Sequence, residues 1–338
     1  MTYVRNLTIL NDVHIGVQRS AGTTPISAWN LRQQVLHQFA LRIDEVPSDL
    51  MILGDLFDSI SVPTADFLRT FEILHGWLGQ CEYMTLFLVA GNHDAPKTDT
   101  TLSSFQLLGR LLSGLHRNIK IIEQPTMTPY GYVVPHVSNQ DRFDAALAKV
   151  PPCEVLYLHC NFDNKFAAQS DQSLNLSQEQ AEACPAKHIV IAHEHQTRKI
   201  DKVWIPGNQI VTSVSDCLGS DAKRWTIVEN GQPRLEKLYD IQEVFEQMPW
   251  DALTESDKPF IRVVGQAATV QASEVVSAIS LYRRQSNALV ITNAVKVLAE
   301  DGSQVFERSL ESVKAFDVMA ALKEFLKPEE FAVVEKVL

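Results

Sequence analysis

The feature that most constrains this chain is an alternation of short apolar runs with longer amphipathic segments over its first half. Apolar runs of this length predict buried strands, and apolar residues at helical spacing predict helices. The predicted strands are 7–10, 50–53, 84–89 and 119–122, with later strands at 155–158 and 189–191. The predicted helices are 28–43, 64–78 and 102–115. This order predicts a layered α/β fold in which helices cover the sheet.

The pattern changes after residue 199, where short strands continue to about residue 240. Turn residues lie at Pro206-Gly207-Asn208 and at Glu229-Asn230-Gly231. Clusters of Pro, Gly and Asn between apolar runs mark turns. We therefore expect a second sheet that closes the fold.

A domain boundary is expected at 241–258, where Pro249 and several acidic residues interrupt the pattern. Beyond it, a strand at 260–264, a helix at 273–284 and a strand at 288–298 predict a small βαβ unit. The last segment carries apolar residues at helical spacing. The predicted division is a main domain 1–240, a capping domain 241–311 and a C-terminal helical segment 312–338.

Length and composition restrict the class of protein. A chain of 338 residues exceeds what one hydrophobic core usually fills. No segment approaches the roughly 18 uninterrupted apolar residues of a membrane helix, and the N-terminus reads as a strand, so we expect no membrane association. Five cysteines without a CxxC pair favour a reducing cytoplasm. The net charge of −11 argues against binding DNA through a broad basic surface.

Five polar segments lie at or just after the ends of predicted strands. They are Asp12-Val13-His14, Gly54-Asp55-Leu56-Phe57-Asp58, Gly91-Asn92-His93-Asp94, His159 and Ala192-His193-Glu194-His195. Ligands of open α/β sheets gather beyond the carboxyl ends of the strands. Imidazole and carboxylate together bind first-row divalent cations. The sequence therefore predicts a site for two metal ions at this edge.

Each segment alone is only weakly specific. Asp-x-His near a strand end is usually a surface turn, Gly-Asp-x-x-Asp is usually a turn with a helix cap, and a lone His159 in an apolar strand is usually a core histidine. Gly-Asn-His-Asp directly after a strand is the most specific. Their ordered combination argues against a purely structural role for all five.

That order, D-x-H, G-D-x-x-D, G-N-H-D, H and H-x-H, resembles the calcineurin-like metallophosphoesterases over roughly residues 5–240. The resemblance implies an αββα sandwich. It assigns Asp12, His14 and His195 to the first metal, Asp55 to a bridging position, and Asn92, His159 and His193 to the second metal. It also implies that His93 protonates the leaving oxygen or stabilises its charge, and that Asp94 orients His93. Asp58 would support the metal ligands without binding an ion itself. Ala192 departs from the glycine usual before His-x-His.

Within that superfamily the chain resembles SbcD-type nucleases, and in size and layout the recombination-endonuclease subunits of phages. The aromatic Phe57, the segment 203–208 and the unit at 259–298 carry this likeness. It implies a DNA nuclease of repair, recombination or phage DNA processing that uses two divalent ions. We expect Mn²⁺, with Mg²⁺, Fe²⁺ or Zn²⁺ as alternatives. Lys97 and His136 are candidate substrate contacts.

The same resemblance implies an SMC-like coiled-coil ATPase as partner, docked through 312–338, and a homodimer through 63–78 and 101–115. Location in a bacterial or phage-infected cytoplasm is expected. Two other hypotheses stay open at this stage. One is a stand-alone phosphatase or cyclic-nucleotide phosphodiesterase, and the other is an inactive scaffold. The roughly 100 residues after residue 240 argue against the first, and the complete ligand set argues against the scaffold.

Overall fold

The computed structural model describes residues 6–17, 24–95, 101–164 and 173–298. Two six-stranded sheets face each other in this part of the chain. The first sheet has the order β14 (Gln232–Asp240), β13 (Ala222–Glu229), β1 (Leu7–Leu10), β2 (Asp49–Leu53), β3 (Leu86–Val89) and β4 (Ile119–Ile122). The second has the order β11 (Arg198–Ile200), β12 (Val203–Ile205), β10 (His188–Ala192), β7 (Val155–His159), β6 (Gly131–Val134) and β5 (Thr126–Thr128).

Helices cover the outer faces of both sheets. The first sheet carries α1 (Pro25–Asp44), α2 (Thr64–Gln80) and α3 (Ser104–Leu115), and the second carries α4 (Gln140–Leu147) and α5 (Gln178–Ala183). The start of α3 is encoded locally, because the Ser103 hydroxyl accepts from the Gln106 amide and the Gln106 side chain accepts from the Ser103 amide. The predicted αββα architecture is confirmed.

The central strands are largely apolar because both of their faces are buried. In β1, Leu7 and Ile9 point into the core between the sheets, whereas Leu10 points toward the helices. In β2, Met51 and Leu53 face the other sheet. Side chains alternate along a strand, so a strand covered on both sides reads as a continuous apolar run. This is why the sequence identified these strands correctly.

Strand direction determines where polar residues gather. Strands β1 to β4 are mutually parallel, and so are β6, β7, β10 and β12. The carboxyl ends of β1, β2, β3, β7 and β10 are the places where the five polar segments begin. A short ribbon of β8 (Asn161–Phe162) and β9 (Asn175–Leu176) follows β7.

One expectation for the region after residue 199 needs correction. The strands there do not form one closing sheet, since β11 and β12 extend the second sheet while β13 and β14 join the first beside β1. The predicted turn at Asn230-Gly231 does connect β13 to β14, with φ values of 51° and 76°. Strands β5 and β6 and helices α4 and α5 were not predicted, because they are short and half-exposed.

The capping unit contains the predicted βαβ arrangement, formed by β16 (Phe260–Ala268), α6 (Ala272–Gln285) and β17 (Val290–Leu298). A further strand, β15 (Phe245–Pro249), pairs with β16 in parallel. It lies inside the region 241–258 that was expected to be only a boundary. Strand β15 lies at the edge of its sheet and ends at Pro249, and most of its side chains are not buried. Its sequence therefore lacks a clear alternation of apolar and polar residues.

Some expectations fall outside the described residues. These are Lys97 and the C-terminal segment 312–338, together with the end of the capping domain beyond residue 298. Among the described helices, none combines the length and the apolar character needed to cross a membrane.

Two leucines of α1 provide a matched test of this packing. Leu31 is 0% exposed beneath the first sheet, whereas Leu41 is 38% exposed on the same helix. We expect Leu31→Ala to lower the free energy of unfolding by about 2–5 kcal/mol, because it leaves a cavity. Leu41→Ala should lower it by less than about 1 kcal/mol. Urea unfolding followed by circular dichroism measures both, and equal losses would contradict the described burial.

Candidate metal centre

Several candidate ligands lie on strained backbone just beyond the strands. Asp12, His14 and Asp55 have φ values of 52°, 53° and 49°, and His193 has 93°. Residues with a Cβ rarely adopt such angles, which cost of order 1–3 kcal/mol each. The turns persist because they are held by backbone hydrogen bonds, such as His14 N to Asp55 O at 3.0 Å. The strain aims the side chains at one edge.

Two motif glycines leave space for the site. A Cβ on Gly54 would lie 2.0 Å from Nδ1 of His159, and one on Gly91 would lie 2.2 Å from Oδ1 of Asp55. Gly54 also has a φ of 81°, which disfavours any side chain. Both glycines are therefore required by the close approach of candidate ligands.

The first half-site consists of Asp12, His14 and His195, whose donor atoms lie within 4.8 Å of one another. The Nε2 atoms of His14 and His195 are 3.2 Å apart. Oδ2 of Asp12 accepts from Asn11 Nδ2 at 2.6 Å and from the His193 amide at 3.0 Å. Within the described part of the chain, the buried Oδ1 of Asp12 has no hydrogen-bond donor. An unpaired buried carboxylate oxygen facing two imidazole nitrogens fits a divalent cation.

The second half-site consists of Asn92, His159 and His193. Oδ1 of Asn92 lies 2.9 Å from Nε2 of His159 and 3.0 Å from Nδ1 of His193. Asp55 stands between the half-sites, with Oδ2 3.4 Å from Nε2 of His159 and 3.9 Å from Nε2 of His14. The structure thus brings together all seven predicted ligands, in the predicted groups, with Asp55 placed to bridge.

The electrostatics of the cluster follow from burial and from one carboxylate among imidazoles. Burial would raise the pKa of Asp55, but His159 and the other histidines hold that pKa well below its usual range. Burial would lower the pKa of His159, but Asp55 raises it to about 9. Burial and the nearby His159 lower the pKa of His193 to about 4. At neutral pH the site therefore contains both an ionised carboxylate and neutral imidazole.

His93 is oriented differently from the expectation. Its Nδ1 lies 2.7 Å from the backbone carbonyl oxygen of Asp58, which can only accept, so Nδ1 carries the proton. The Asp94 carboxylate accepts instead from the amides of Leu56, Phe57 and Gly91. Asp94 therefore braces the loop, and the contact on His93 comes from the Asp58 carbonyl. Burial and nearby Asp55 raise the pKa of Asp94 to about 7.

Asp58 occupies its expected place behind a candidate ligand. Its Oδ1 lies 3.3 Å from Nδ1 of His14. A carboxylate behind an imidazole fixes the ring and increases its basicity.

The sequence did not reveal Asp216, which lies behind the first half-site. Its Oδ1 is 2.8 Å from Nδ1 of His195. Burial would raise the pKa of Asp216, but His195 and then Lys223 hold it well below its usual range. Asp216 lies in the turn Val214–Cys217, and only a carboxylate close to two serines, Ser213 and Ser215, hinted at a polar role.

A buried network of side-chain amides was also not predicted. Asn11 donates from Nδ2 to the Gly207 carbonyl at 3.0 Å, and Gln209 donates to the same oxygen at 3.0 Å. Asn208 donates to Asp216 at 3.1 Å. The segment 203–208, identified from the sequence for another reason, thus supports both Asp12 and His195.

Two further residues complete the comparison with the sequence. His136 lies beside the cluster, where burial and then the nearby His159 lower its pKa to about 4. Ala192 ends β10 opposite His159, and the positive φ falls on His193 instead, so the methyl group is accommodated.

A cavity of about 270 Å³ opens at the cluster. Its lining residues include His14, Asp55, Asp58, His93, His193, His195, Thr212, Ser213, Ser215 and Asp216. A tetrahedral anion such as phosphate would have room there, beside both half-sites and His93.

An αββα sandwich with two candidate metal half-sites around one carboxylate fits a metal-dependent hydrolase of phosphoesters. The chain belongs to the family described as Calcineurin-like phosphoesterase, whose profile matches residues 5–197. The family assignment implies divalent metal ions as cofactors, and the half-sites are candidate positions for them.

Solved structures that match this chain include TT1561 of Thermus thermophilus, with 13% identity, a TM-score of 0.40, and coverage of 69% of this chain and 99% of that chain. Nuclease MPE of Pseudomonas putida has 18% identity, a TM-score of 0.24, and coverage of 47% and 64%. Purple acid phosphatase PPD1 from yellow lupin (Lupinus luteus) seeds has 11% identity, a TM-score of 0.34, and coverage of 71% and 53%. Comparison with curated proteins finds no match.

The bridging position can be tested by metal content. We expect Asp55→Asn to reduce bound metal from about two ions per chain to fewer than one, because both half-sites lose their shared charge. Mass spectrometry of metals after dialysis measures this. Asp257→Asn is the matched control, since that side chain is 86% exposed, and it should retain the wild-type content. Two retained ions in Asp55→Asn would exclude a bridging role.

His136 should make the metal-free protein sensitive to acid. Its pKa is about 4 when folded and near 6.5 when unfolded, so between these values the unfolded chain binds the extra proton. This contribution to stability is present above pH 6.5 and is lost as pH falls toward 4. In EDTA, His136→Gln should lose less stability than wild type between pH 7 and pH 5, whereas His37→Gln, at an exposed position, should behave as wild type. Urea unfolding at both pH values measures the difference.

Proposed function

We propose that the protein is a nuclease that hydrolyses DNA phosphodiesters with two divalent ions, Mn²⁺ being the expected metal. The observation that carries this proposal is the position of the capping unit. Strands β16 and β17 lie against the turn Val214–Cys217, which contains Asp216 and lines the cleft. Phe260 and Val290 of these strands share a core with Val214 of the turn. The capping unit thus packs behind the wall of the cleft that carries Ser213, Ser215 and Asp216. An additional folded unit at that wall suits a long substrate better than a small ester.

The chemistry divides between the bound ions and the protein. Two divalent cations, when bound, clamp the phosphate and lower the pKa of an attacking water. Asp12, His14 and His195 would hold one ion, and Asn92, His159 and His193 the other. Asp55 would hold both, and its ionised state at neutral pH suits that role.

His93 would act on the leaving oxygen. Because Nδ1 donates to the Asp58 carbonyl, proton transfer falls to Nε2, which lies 3.9 Å from Oδ2 of Asp55 and borders the cleft. Protonated Nε2 would donate to the departing oxygen as a general acid. Asp94 would hold the loop that carries His93, and His136 would contact the substrate from beside the second half-site.

The negative net charge restricts how DNA is bound. The bound cations would make the cleft locally positive, since metal ions are the largest charges in such a site. In the capping unit, Arg283 donates to the Ile291 carbonyl at 3.0 Å and Arg284 to the Ser280 carbonyl at 3.3 Å. Because these arginines hold backbone, we assign the remaining attraction for DNA to Lys97 and to a partner subunit.

We further propose an SMC-like coiled-coil ATPase as that partner, docked by the segment 312–338, and a role in repair, recombination or phage DNA processing. A homodimer through α2 and α3 is supported by exposed apolar side chains on these helices. They are Leu68, Leu107, Leu111 and Leu115, which are 51%, 39%, 43% and 61% exposed. Such a row of leucines suits an interface between copies of the chain.

The decisive experiment offers several substrates to the purified protein with Mn²⁺. We expect cleavage of linear duplex or single-stranded DNA, and a fall in kcat of roughly 10²–10⁴-fold in His93→Ala, because general acid catalysis contributes about that much. Metal content should remain at the wild-type level. Gel electrophoresis of labelled DNA measures turnover, and His37→Ala at an exposed position serves as control.

The other outcomes separate the alternatives. Hydrolysis of p-nitrophenyl phosphate esters without action on DNA would replace the nuclease with a phosphatase or a small phosphodiesterase. No turnover with Mn²⁺, Mg²⁺, Fe²⁺ or Zn²⁺ would leave the inactive scaffold.

A further inference from the structure

Three hydroxyl side chains form one wall of the cleft beside the first half-site. They belong to Thr212, Ser213 and Ser215, which lie in or just before the turn Val214–Cys217. Thr212 is buried, Ser213 is half-buried and Ser215 is exposed. The cleft therefore has a polar wall that neither the candidate ligands nor His93 account for.

The buried carboxylate of Asp216 fixes the direction of the hydroxyl protons. Its Oδ2 accepts from the Thr212 amide at 2.7 Å, the Ser213 amide at 2.9 Å and Asn208 Nδ2 at 3.1 Å. A carboxylate with this many donors is ionised and can only accept. The Thr212 hydroxyl therefore donates to Oδ2 at 2.9 Å, and the Ser213 hydroxyl donates to Oδ1 at 2.7 Å.

The chain of hydroxyl groups continues from Ser213 to Ser215. The Oγ atoms of these two serines lie 2.7 Å apart. A hydroxyl carries one proton, and the proton of Ser213 is already donated to Asp216, so Ser215 is the donor in this contact. The side of Ser215 Oγ that faces the cleft then carries lone pairs only. This wall of the cleft accepts hydrogen bonds and does not donate them.

An accepting wall does not suit phosphate oxygens, because they also accept hydrogen bonds. The phosphate instead belongs with the two cations of the half-sites and with Nε2 of His93, which also border the cleft. If Ser215 turned its proton toward a phosphate, its contact with Ser213 would be left without a hydrogen. The part of the substrate that lies against Ser215 is therefore a hydrogen-bond donor.

The size of the cleft indicates the class of this donor. Pockets that enclose a whole small ligand usually measure about 300–1,000 Å³, whereas this cleft measures about 270 Å³. It therefore holds the phosphate and the atoms next to it. In a nucleotide those atoms belong to the sugar, whose hydroxyl groups lie nearer to the phosphate than the amino groups of the base do.

We propose that Ser215 binds a sugar hydroxyl of the substrate and is a specificity-determining residue of the cleft. The sugar hydroxyl donates to Oγ of Ser215 while the phosphate of the same nucleotide lies at the metal centre. This inference deepens the proposed function and rests on it, since it assigns the phosphate of the substrate to the two half-sites. A 2′-hydroxyl and a 3′-hydroxyl supply the same chemistry, and the test distinguishes them.

Calorimetric titration of the Mn²⁺-loaded protein with nucleoside monophosphates tests the proposal. Thymidine and 3′-deoxythymidine 5′-phosphates differ only in the 3′-hydroxyl, and uridine and 2′-deoxyuridine 5′-phosphates differ only in the 2′-hydroxyl. In one of these pairs, loss of the hydroxyl should raise the wild-type Kd by roughly 3–10-fold, as for loss of one neutral hydrogen bond. Equal Kd values within both pairs, or no measurable binding of any nucleotide, would overturn the proposal.

Two substitutions at position 215 separate recognition of the hydroxyl from a general structural effect. Ser215→Ala should bind both members of the discriminating pair with equal Kd, whereas Ser215→Thr keeps a hydroxyl and should retain the difference. Ser113→Ala is the matched control, because that serine is exposed on α3, and it should behave as wild type. A difference that persists in Ser215→Ala would assign the sugar hydroxyl to another group and contradict the proposal.

Inorganic phosphate, which has no sugar, is the reference ligand. Its Kd should be the same for wild type and Ser215→Ala. If Ser215→Ala weakens inorganic phosphate and every nucleotide by one common factor, Ser215 donates to phosphate and the proposal fails. None of these titrations requires DNA cleavage. Recognition of the hydroxyl without DNA cleavage would therefore overturn only the nuclease, whereas DNA cleavage without this recognition would overturn only the present inference.

Discussion

The organisation of this protein depends on one buried carboxylate, Asp55, surrounded by imidazoles from both sheets. His14 approaches it from the first sheet and His159 from the second, at 3.9 and 3.4 Å. A buried charge of this kind is tolerated only when it is paired. The two sheets must therefore meet in one register at this edge. Gly54 lets His159 of the second sheet approach, and Gly91 leaves room for Asp55 within the first sheet.

The free-energy cost of this arrangement lies in strained backbone turns. Asp12, His14, Asp55 and His193 adopt positive φ angles that their side chains disfavour. The turns are overdetermined by the apolar layers beneath them, since the strands that precede these turns are almost entirely buried. The packing of the sandwich thus offsets the backbone strain at the candidate site. Strain of this kind is common at functional sites that a stable scaffold holds in place.

The sequence allowed prediction of features that buried strands encode locally. Strands β1 to β3 and helices α1 to α3 were identified because burial on both faces of a strand, or on one stripe of a helix, leaves a clear pattern. Strand β15 was not, because an edge strand with one buried residue, Met248, has little pattern. The seven candidate ligands could be named in advance, because the polar segments after the strand ends have the motif order of the calcineurin-like phosphoesterases. Asp216 was missed, because its contact with His195 depends on a turn 21 residues away. The role given to Asp94 differed, because backbone amides compete for its oxygens.

The hydrogen bond between His93 and position 58 uses the peptide oxygen and not the side chain. Every amino acid carries that oxygen, so no replacement at position 58 removes the acceptor while the chain keeps its course. The tautomer of His93 is therefore set by the course of the main chain at position 58. A substitution of the Asp58 side chain would change its contact with His14. His93 would still donate from Nδ1 to the carbonyl oxygen of position 58, so Nε2 would still face the cleft.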